Sequence, residues 1–164
     1  MHMPTISRIP LTLAFAISAI LVLVGAASAA SPVVHRASVG TPDACEAFAG
    51  SHPGCDANYS WTAIAHADGS ASGQYTDSIG HSFTLHGTID CLAVDGNRAW
   101  VSGQITGGFA AGDFFSSSAQ DNGTSAKDPA DQISRTLISD VPFNCLTMDD
   151  VVLGDVPQGQ VTVR

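Results

Sequence analysis

The feature that most constrains the fold is a stretch of alternating apolar and polar residues between positions 81 and 106. Its odd positions are mostly apolar or small, and its even positions are mostly polar. Because successive side chains of a β-strand point to opposite faces, this pattern predicts two strands with one buried and one solvated face. The turn residues Asp95-Gly96-Asn97 separate the two strands and predict a hairpin. Keeping both odd sets on one face requires an odd-length loop, so we predict a three-residue loop with Asn97 in the left-handed region and Leu92 opposite Trp100.

Residues 1–29 predict a secretory signal peptide that is removed on export. Arg8 precedes an apolar run from Leu11 to Val24, and small residues follow that run up to Ala30. A membrane span takes about 20 residues, so this run favours cleavage after Ala29 over a retained anchor. We therefore predict a secreted, extracellular protein with no stable membrane insertion after cleavage.

The charge of the chain argues against two classes of partner. The sequence has fifteen acidic and six basic residues, and all of the acidic ones follow the predicted cleavage site. Nucleic acids and anionic lipid surfaces repel such a chain, so neither is an expected partner. An acidic surface also keeps secreted proteins soluble without any partner, so the charge by itself assigns no function.

The four cysteines all lie in the part that is predicted to be exported. An even number of cysteines in an oxidising compartment predicts two disulfides. Cys45 and Cys55 bracket a turn-rich loop, which favours a local bridge and leaves Cys91 to pair with Cys145. The second bridge closes a long loop, which stabilises a fold by about 4 kcal/mol in the chain-entropy model. Zinc binding is the alternative, but the sequence has no C-x-x-C motif and no paired histidines at ligand spacing.

The rest of the exported chain reads as short strands between turn signals. We predict a flexible leader at 30–40 and a single β domain at 41–164. Asp68-Gly69 predicts a second hairpin with a two-residue turn and Ile64 opposite Gly73. Further strand candidates are Asp113–Gln120, Gln132–Ile138, Asp149–Asp155 and Gln160–Val163. The predicted fold is an all-β antiparallel β-sandwich or small closed β-barrel of about seven to nine strands.

Several short motifs resemble those of a family of small secreted proteins from actinobacteria. They occupy residues 65–70, 86–92, 96–101 and 121–123, with a last one at 131–134. The resemblance covers most of the exported domain, from about Trp61 to Ser134. It implies export and a β fold, and it implies no particular activity.

No catalytic constellation is visible in the sequence. The nucleophile motif G-x-S-x-G does not occur, because the run from Gly69 to Gly73 has alanine at its centre. His66, His81 and His86 lie on predicted strands or at their edges, where a histidine is usually a surface residue. His81 and His86 have opposite parity and therefore point to opposite faces. We predict that the protein is not an enzyme.

An acidic loop is the best candidate for a metal site. Asp121, Asn122, Asp128 and Asp131 supply hard oxygen donors of the kind that Ca²⁺ accepts. Their spacing is not that of an EF-hand, and Asp and Asn also stabilise turns by bonding to nearby backbone groups. The resembling family has an acidic residue soon after Asp-Asn-Gly, where this chain continues with threonine and serine. Calcium at this loop is the one cofactor that the sequence suggests.

The two tryptophans are the candidates for ligand contact. Trp100 lies on the mostly polar face of the central hairpin, and Trp61 lies on the first predicted strand, at 59–67. An aromatic ring on a solvated sheet face can stack against a sugar or a peptide. The alternative is that Trp100 covers Leu92 or is itself covered by a loop.

These observations together predict a secreted, non-catalytic binding or structural β module. Its expected partner is an extracellular ligand or a component of the cell envelope. One alternative is a small β-barrel that holds an apolar or carbohydrate ligand in its mouth. A second alternative is a secreted hydrolase.

Overall fold

The computed structural model describes residues 30–42, 44–45, 47, 56–80, 83–156 and 158–164. The predicted signal peptide at 1–29 lies outside these residues. Cys55 and His81 lie outside them as well.

The described residues form one antiparallel sheet that is curled into an open half-barrel. Its strands are β1 (Val33–Thr41), β2 (Ala57–His66), β3 (Ala71–Ile79), β4 (Phe83–Asp95), β5 (Arg98–Gly108), β6 (Phe114–Gln120), β7 (Gln132–Ser134), β8 (Leu137–Ser139), β9 (Leu153–Asp155) and β10 (Gln160–Val163). The order across the sheet is β10-β1-β2-β3-β4-β5-β6-β7-β9, and β8 pairs with β6 beside β7. The prediction of an all-β antiparallel fold is confirmed. The more specific prediction of a sandwich or a closed barrel is not.

The inner face of the half-barrel holds the main core. Its largest fully buried side chains include Trp61, Tyr75 and Phe115. The Tyr75 and Phe115 rings stack with centroids 4.1 Å apart. Both lie against Gly87, where an added Cβ would approach the Phe115 ring to 2.8 Å. The concave side of the sheet is therefore filled by protein side chains.

The central hairpin forms as predicted, but its register differs. The turn has two residues, Gly96 and Asn97, and Gly96 is the one with a positive φ, at 58°. Leu92 therefore pairs with Val101, and Trp100 pairs with Ala93. A bulge at Asp90 then shifts the pairing by one residue, so that Ile89 faces Gly103. The even-length turn and the bulge together return the apolar residues of both strands to the inner face.

The register predicted for the hairpin at Asp68-Gly69 is also wrong. Ala63, not Ile64, pairs with Gly73. The backbone N–H of His66 donates to the Ser70 carbonyl at 2.8 Å, which leaves three residues in the loop. Gly69 has a φ of 86° in that loop, as expected for the glycine that follows Asp68.

The predicted flexible leader is part of the sheet. Residues 33–41 form β1, which pairs with β2 on one side and with β10 on the other. Ala37 and Val39 of this strand are buried in the main core. The segment has too little apolar alternation to be recognised in the sequence, because its first residues are exposed on both faces.

A second, smaller cluster lies on the outer face of the sheet. Trp100, Ala93 and Cys145 are buried there, with Cys91 packed against them. Residues 140–152, which we call the cover segment, lie over this cluster and include a one-turn 3₁₀ helix at Cys145–Thr147.

The predicted Cys91–Cys145 disulfide is present and joins the cover segment to β4, with the two Cα atoms 6.0 Å apart. The predicted bridge between Cys45 and Cys55 stays a prediction, because Cys55 is not among the described residues.

Candidate functional site

The structure places neither tryptophan ring on a solvated face. Trp61 is 2% exposed in the main core, and its Nε1 donates to the Tyr59 hydroxyl at 3.2 Å. Trp100 is 8% exposed beneath the cover segment, and its Nε1 donates to the Asp149 carbonyl at 3.0 Å. The Arg98 guanidinium lies 4.7 Å from the centroid of the Trp100 ring. A loop thus covers Trp100, and neither ring offers an open surface for stacking.

The four residues proposed as calcium ligands accept hydrogen bonds from N–H groups. Asp131 Oδ1 accepts from the backbone of Asn122, and its Oδ2 accepts from the backbone of Val161, both at 2.8 Å. Asp121 Oδ2 accepts from the backbone of Val163 at 3.1 Å. Asp128 Oδ2 accepts from the backbone of Ser125 at 2.8 Å.

The fourth residue, Asn122, is used in the same way. Its Oδ1 accepts from Gln120 Nε2 at 2.8 Å, and its Nδ2 donates to the Ala130 carbonyl at 2.6 Å. Among the described residues, no three His, Cys, Asp or Glu side chains are grouped so that they could hold a metal ion. The loop at 121–131 follows β6, and its Asp121 and Asp131 carboxylates bond to outward N–H groups of β10. We call this set of contacts the seam.

We expect Asp131→Asn to lower the free energy of unfolding by about 2 kcal/mol. The amide replaces one carboxylate oxygen by an NH₂ group that faces a backbone N–H, so a charge-assisted hydrogen bond is lost at one of two sites. Urea denaturation measures the change.

Asp128→Asn is the matched control for this prediction, because Asp128 bonds only within its own loop and should change stability by less than about 0.5 kcal/mol. Removing divalent ions with a chelator should leave the midpoint of both variants and of the wild type unchanged. A lower wild-type midpoint after chelation would contradict the seam and support calcium.

His66 and His86 make ordinary structural contacts. His66 Nδ1 lies 2.8 Å from the Ser31 carbonyl oxygen, which is a contact with backbone. His86 Nδ1 lies 3.4 Å from Thr76 Oγ1 on the exposed side of the sheet. These contacts give neither a nucleophile activated by a buried base nor a base oriented by an acid.

An apolar groove of about 480 Å³ lies where β9 leaves the edge of the sheet. Its walls are Ala47, Ser134, Arg135, Leu137, Val151, Val152 and Leu153. β9 pairs with β7 as far as Leu153, opposite Ser134. On the N-terminal side of Leu153 the chain crosses the outer face towards β5. There the Val151 carbonyl accepts a hydrogen bond from Arg98 at 3.2 Å. The crossing leaves a notch beside β8, and this notch is the groove.

Ser134 connects the groove to a buried hydrogen-bond network. Its Oγ lies 3.3 Å from Ser117 Oγ and accepts from the backbone N–H of Ser118 at 2.8 Å. Ser117 in turn bonds with the hydroxyl of Tyr59. Burial raises the pKa of the Tyr59 hydroxyl, and the bond with Ser117 opposes this only in part. Tyr59 therefore stays protonated and acts as a structural hydrogen-bonding group.

A second network lies behind Arg135 and Leu137. Thr136 Oγ1 donates to Asp77 Oδ2 at 2.9 Å, and the Tyr75 hydroxyl donates to the same oxygen at 3.0 Å. Burial raises the pKa of the Asp77 carboxyl, and the two hydrogen bonds lower it in part. This network fixes the β7–β8 connection against the inner face of β3.

A comparison of the chain with protein families, with curated proteins and with solved structures finds no match. The described residues contain no helix of the length and apolar character that crossing a bilayer requires.

The groove is the candidate site because of its geometry alone. The groove could not be predicted from the sequence because its lining residues come from three separate segments, at 47, 134–137 and 151–153, and include no motif.

Proposed function

We propose that this protein is a secreted, non-catalytic binding module whose groove beside β8 takes an extended apolar segment of another extracellular polypeptide. The observation that carries this proposal is an apolar groove alongside a strand edge. Export is supported by the apolar leader at 11–24 and by the Cys91–Cys145 disulfide, since disulfides persist in oxidising compartments.

The edge of β8 favours a polypeptide ligand. Within the described residues β8 pairs with β6 alone, so the backbone N–H and C=O groups on its other side have no strand partner. An extended peptide that adds to such an edge gains main-chain hydrogen bonds, and an adjacent apolar pocket supplies specificity for its side chains. Leu137 of this strand is 45% exposed and lines the groove together with Val152.

The strand edges at β10 and at β8 differ in a way that supports this assignment. At β10 the outward N–H groups of Val161 and Val163 are bonded by carboxylates. At β8 no side chain of the described residues bonds to the strand. The one charged residue in the groove lining is Arg135 and the other lining residues are uncharged, so an apolar partner segment fits the groove better than a charged one.

A β-barrel that holds a ligand in its mouth has less support. The inner face is filled by Trp61, Tyr75 and Phe115, each at most 2% exposed. A volume of 480 Å³ would also suit a small apolar molecule, but that molecule would occupy the groove and not the interior of the half-barrel. A hydrolase has no supporting observation among the described residues.

Peptide selection tests the proposal. A library of random peptides is displayed against the full protein recovered from a secreting host, and the strongest binder is labelled for fluorescence anisotropy. We expect Val152→Asp to weaken its binding by about tenfold or more, since a carboxylate in an apolar groove is desolvated without a partner. Val152 is 89% exposed, so this variant should fold normally.

Val141→Asp is the matched control, because Val141 is 62% exposed and lies outside the groove. Its affinity for the peptide should stay within about twofold of wild type. An equal loss in both variants, or a library that yields no binder, would rule out the peptide site. Binding of the apolar dye 8-anilinonaphthalene-1-sulfonate in the groove without any peptide binder would assign a small-molecule site in its place.

A further inference from the structure

The cover segment is held to the sheet by side chains of β5. Trp100 Nε1 donates to the Asp149 carbonyl at 3.0 Å, and Ser102 Oγ donates to the Phe143 carbonyl at 3.2 Å. Both donors lie on the outer face of β5, in alternate positions. Both side chains are thus paired directly with the backbone of the cover segment.

The neighbouring row on β6 is not paired in this way. Ser118 lies opposite Trp100 in the register, and Ser116 lies opposite Ser102, so both serines share the outer face beneath the cover segment. Ser118 is 0% exposed, and its Oγ has no hydrogen-bond partner among the described residues. A buried hydroxyl without a partner is costly, because it has lost its bonds to water and gained none.

A small cavity lies against this hydroxyl. Its volume is about 20 Å³, and its lining includes Ser116, Ser118, Asn144 and Thr147. A cavity holds one water molecule when its volume exceeds roughly 10–15 Å³ and when it offers two to four polar partners. This cavity meets both conditions. Arg98 Nε, the other buried polar atom without a partner in the described part of the chain, does not line it.

We propose that the cavity is a binding site for a single ordered water molecule that bonds to Ser118 Oγ. The water links β6 to the cover segment, as Trp100 and Ser102 link β5 to it directly. It also completes the hydrogen bonding of Ser118, whose Oγ has no hydrogen-bond partner among the described residues. At about 20 Å³ the cavity has room for one water molecule and not for a larger ligand.

A crystal structure of the full protein at high resolution, together with nuclear Overhauser effects between water and the Ser118 Hβ protons, tests the site. We expect one ordered water within hydrogen-bond distance of Ser118 Oγ. Ser118→Val fills the cavity with a methyl group and should abolish the water signal. Ser118→Ala removes the hydroxyl that binds the water but leaves the cavity, and it should lower the melting temperature by about 4 °C.

Ser60→Ala is the matched control, because Ser60 is exposed on β2 and should leave the melting temperature within about 1 °C of wild type. A dry cavity in the wild-type protein would overturn the proposal. A direct hydrogen bond from Ser118 Oγ to Ser116 or Asn144 would overturn it as well. If a variant fails to fold, the wild-type crystal structure and spectra decide the question without it.

Discussion

Replacing Cys91 and Cys145 together by serine should lower the free energy of unfolding by about 4 kcal/mol. The bridge spans 54 residues, so its loss frees a long loop in the unfolded chain, and in the chain-entropy model long loops give the largest effects. Thermal and urea denaturation measure the change. The disulfide also ties the cover segment over Trp100, so its loss should expose the indole and shift its emission to longer wavelength.

Val141→Ser is the control for this variant, since Val141 lies in the same cover segment but is exposed. It should change neither stability nor emission. A loss of less than about 1 kcal/mol in the double serine variant, with unchanged emission, would contradict the prediction. It would mean that the hydrogen bonds from Arg98, Trp100 and Ser102 hold the cover segment without the disulfide.

Gly103→Ala should destabilise the protein by about 3 kcal/mol or more, or prevent folding. Gly103 lies in the middle of β5, between Ile89 of β4 and Phe115 of β6. A Cβ at this position would overlap the Thr88 carbonyl oxygen and lie 2.9 Å from the Ile89 Cα. Both obstacles are backbone atoms of a central strand, so the clash cannot be relieved by rotating a side chain. The yield of soluble protein and the denaturation midpoint measure the effect.

Gly40→Ala provides the opposite control. Gly40 lies in β1, and a Cβ there would have no heavy atom within 4 Å. Alanine reduces the conformational entropy of the unfolded chain, so this variant should be slightly more stable than wild type, by about 0.5 kcal/mol. Equal effects of the two substitutions would show that the close approach at Gly103 is relieved by a small shift of the strands.

The sequence predicts the fold class because apolar–polar alternation is a local signal, and it predicts the Cys91–Cys145 disulfide because a local bridge between Cys45 and Cys55 would leave these two cysteines to pair. Alternation in the central hairpin requires two strands with a common buried face, whatever the exact pairing. The pairing register of the central hairpin does not follow from the same local signal. One face can be kept apolar by an odd-length loop, or by an even-length loop with a bulge, and the chain uses the second solution through Asp90. Alternation alone does not distinguish the two.

The candidate sites were harder to predict for a physical reason. Asp121 and Asp131 carry the residue types of a calcium loop, but their oxygens are used by N–H groups of β10, about 30 to 40 positions later in the chain. The groove depends on where the chain leaves the sheet between Leu153 and Val151. That departure follows from tertiary bonds to Arg98 and Trp100, which leave no pattern in the local sequence.

The seam of Asp121 and Asp131 also bears on how copies of the protein meet one another in concentrated solution. An open β-strand edge is a template for another chain, and a row of free N–H groups invites polymerisation into fibrous aggregates. On β10 the N–H groups of Val161 and Val163 are already taken, and the atoms that take them carry negative charge. A second molecule that approaches this edge finds no donors to bind and meets electrostatic repulsion. The same two carboxylates that hold the half-barrel together thus keep this side of it from seeding aggregation.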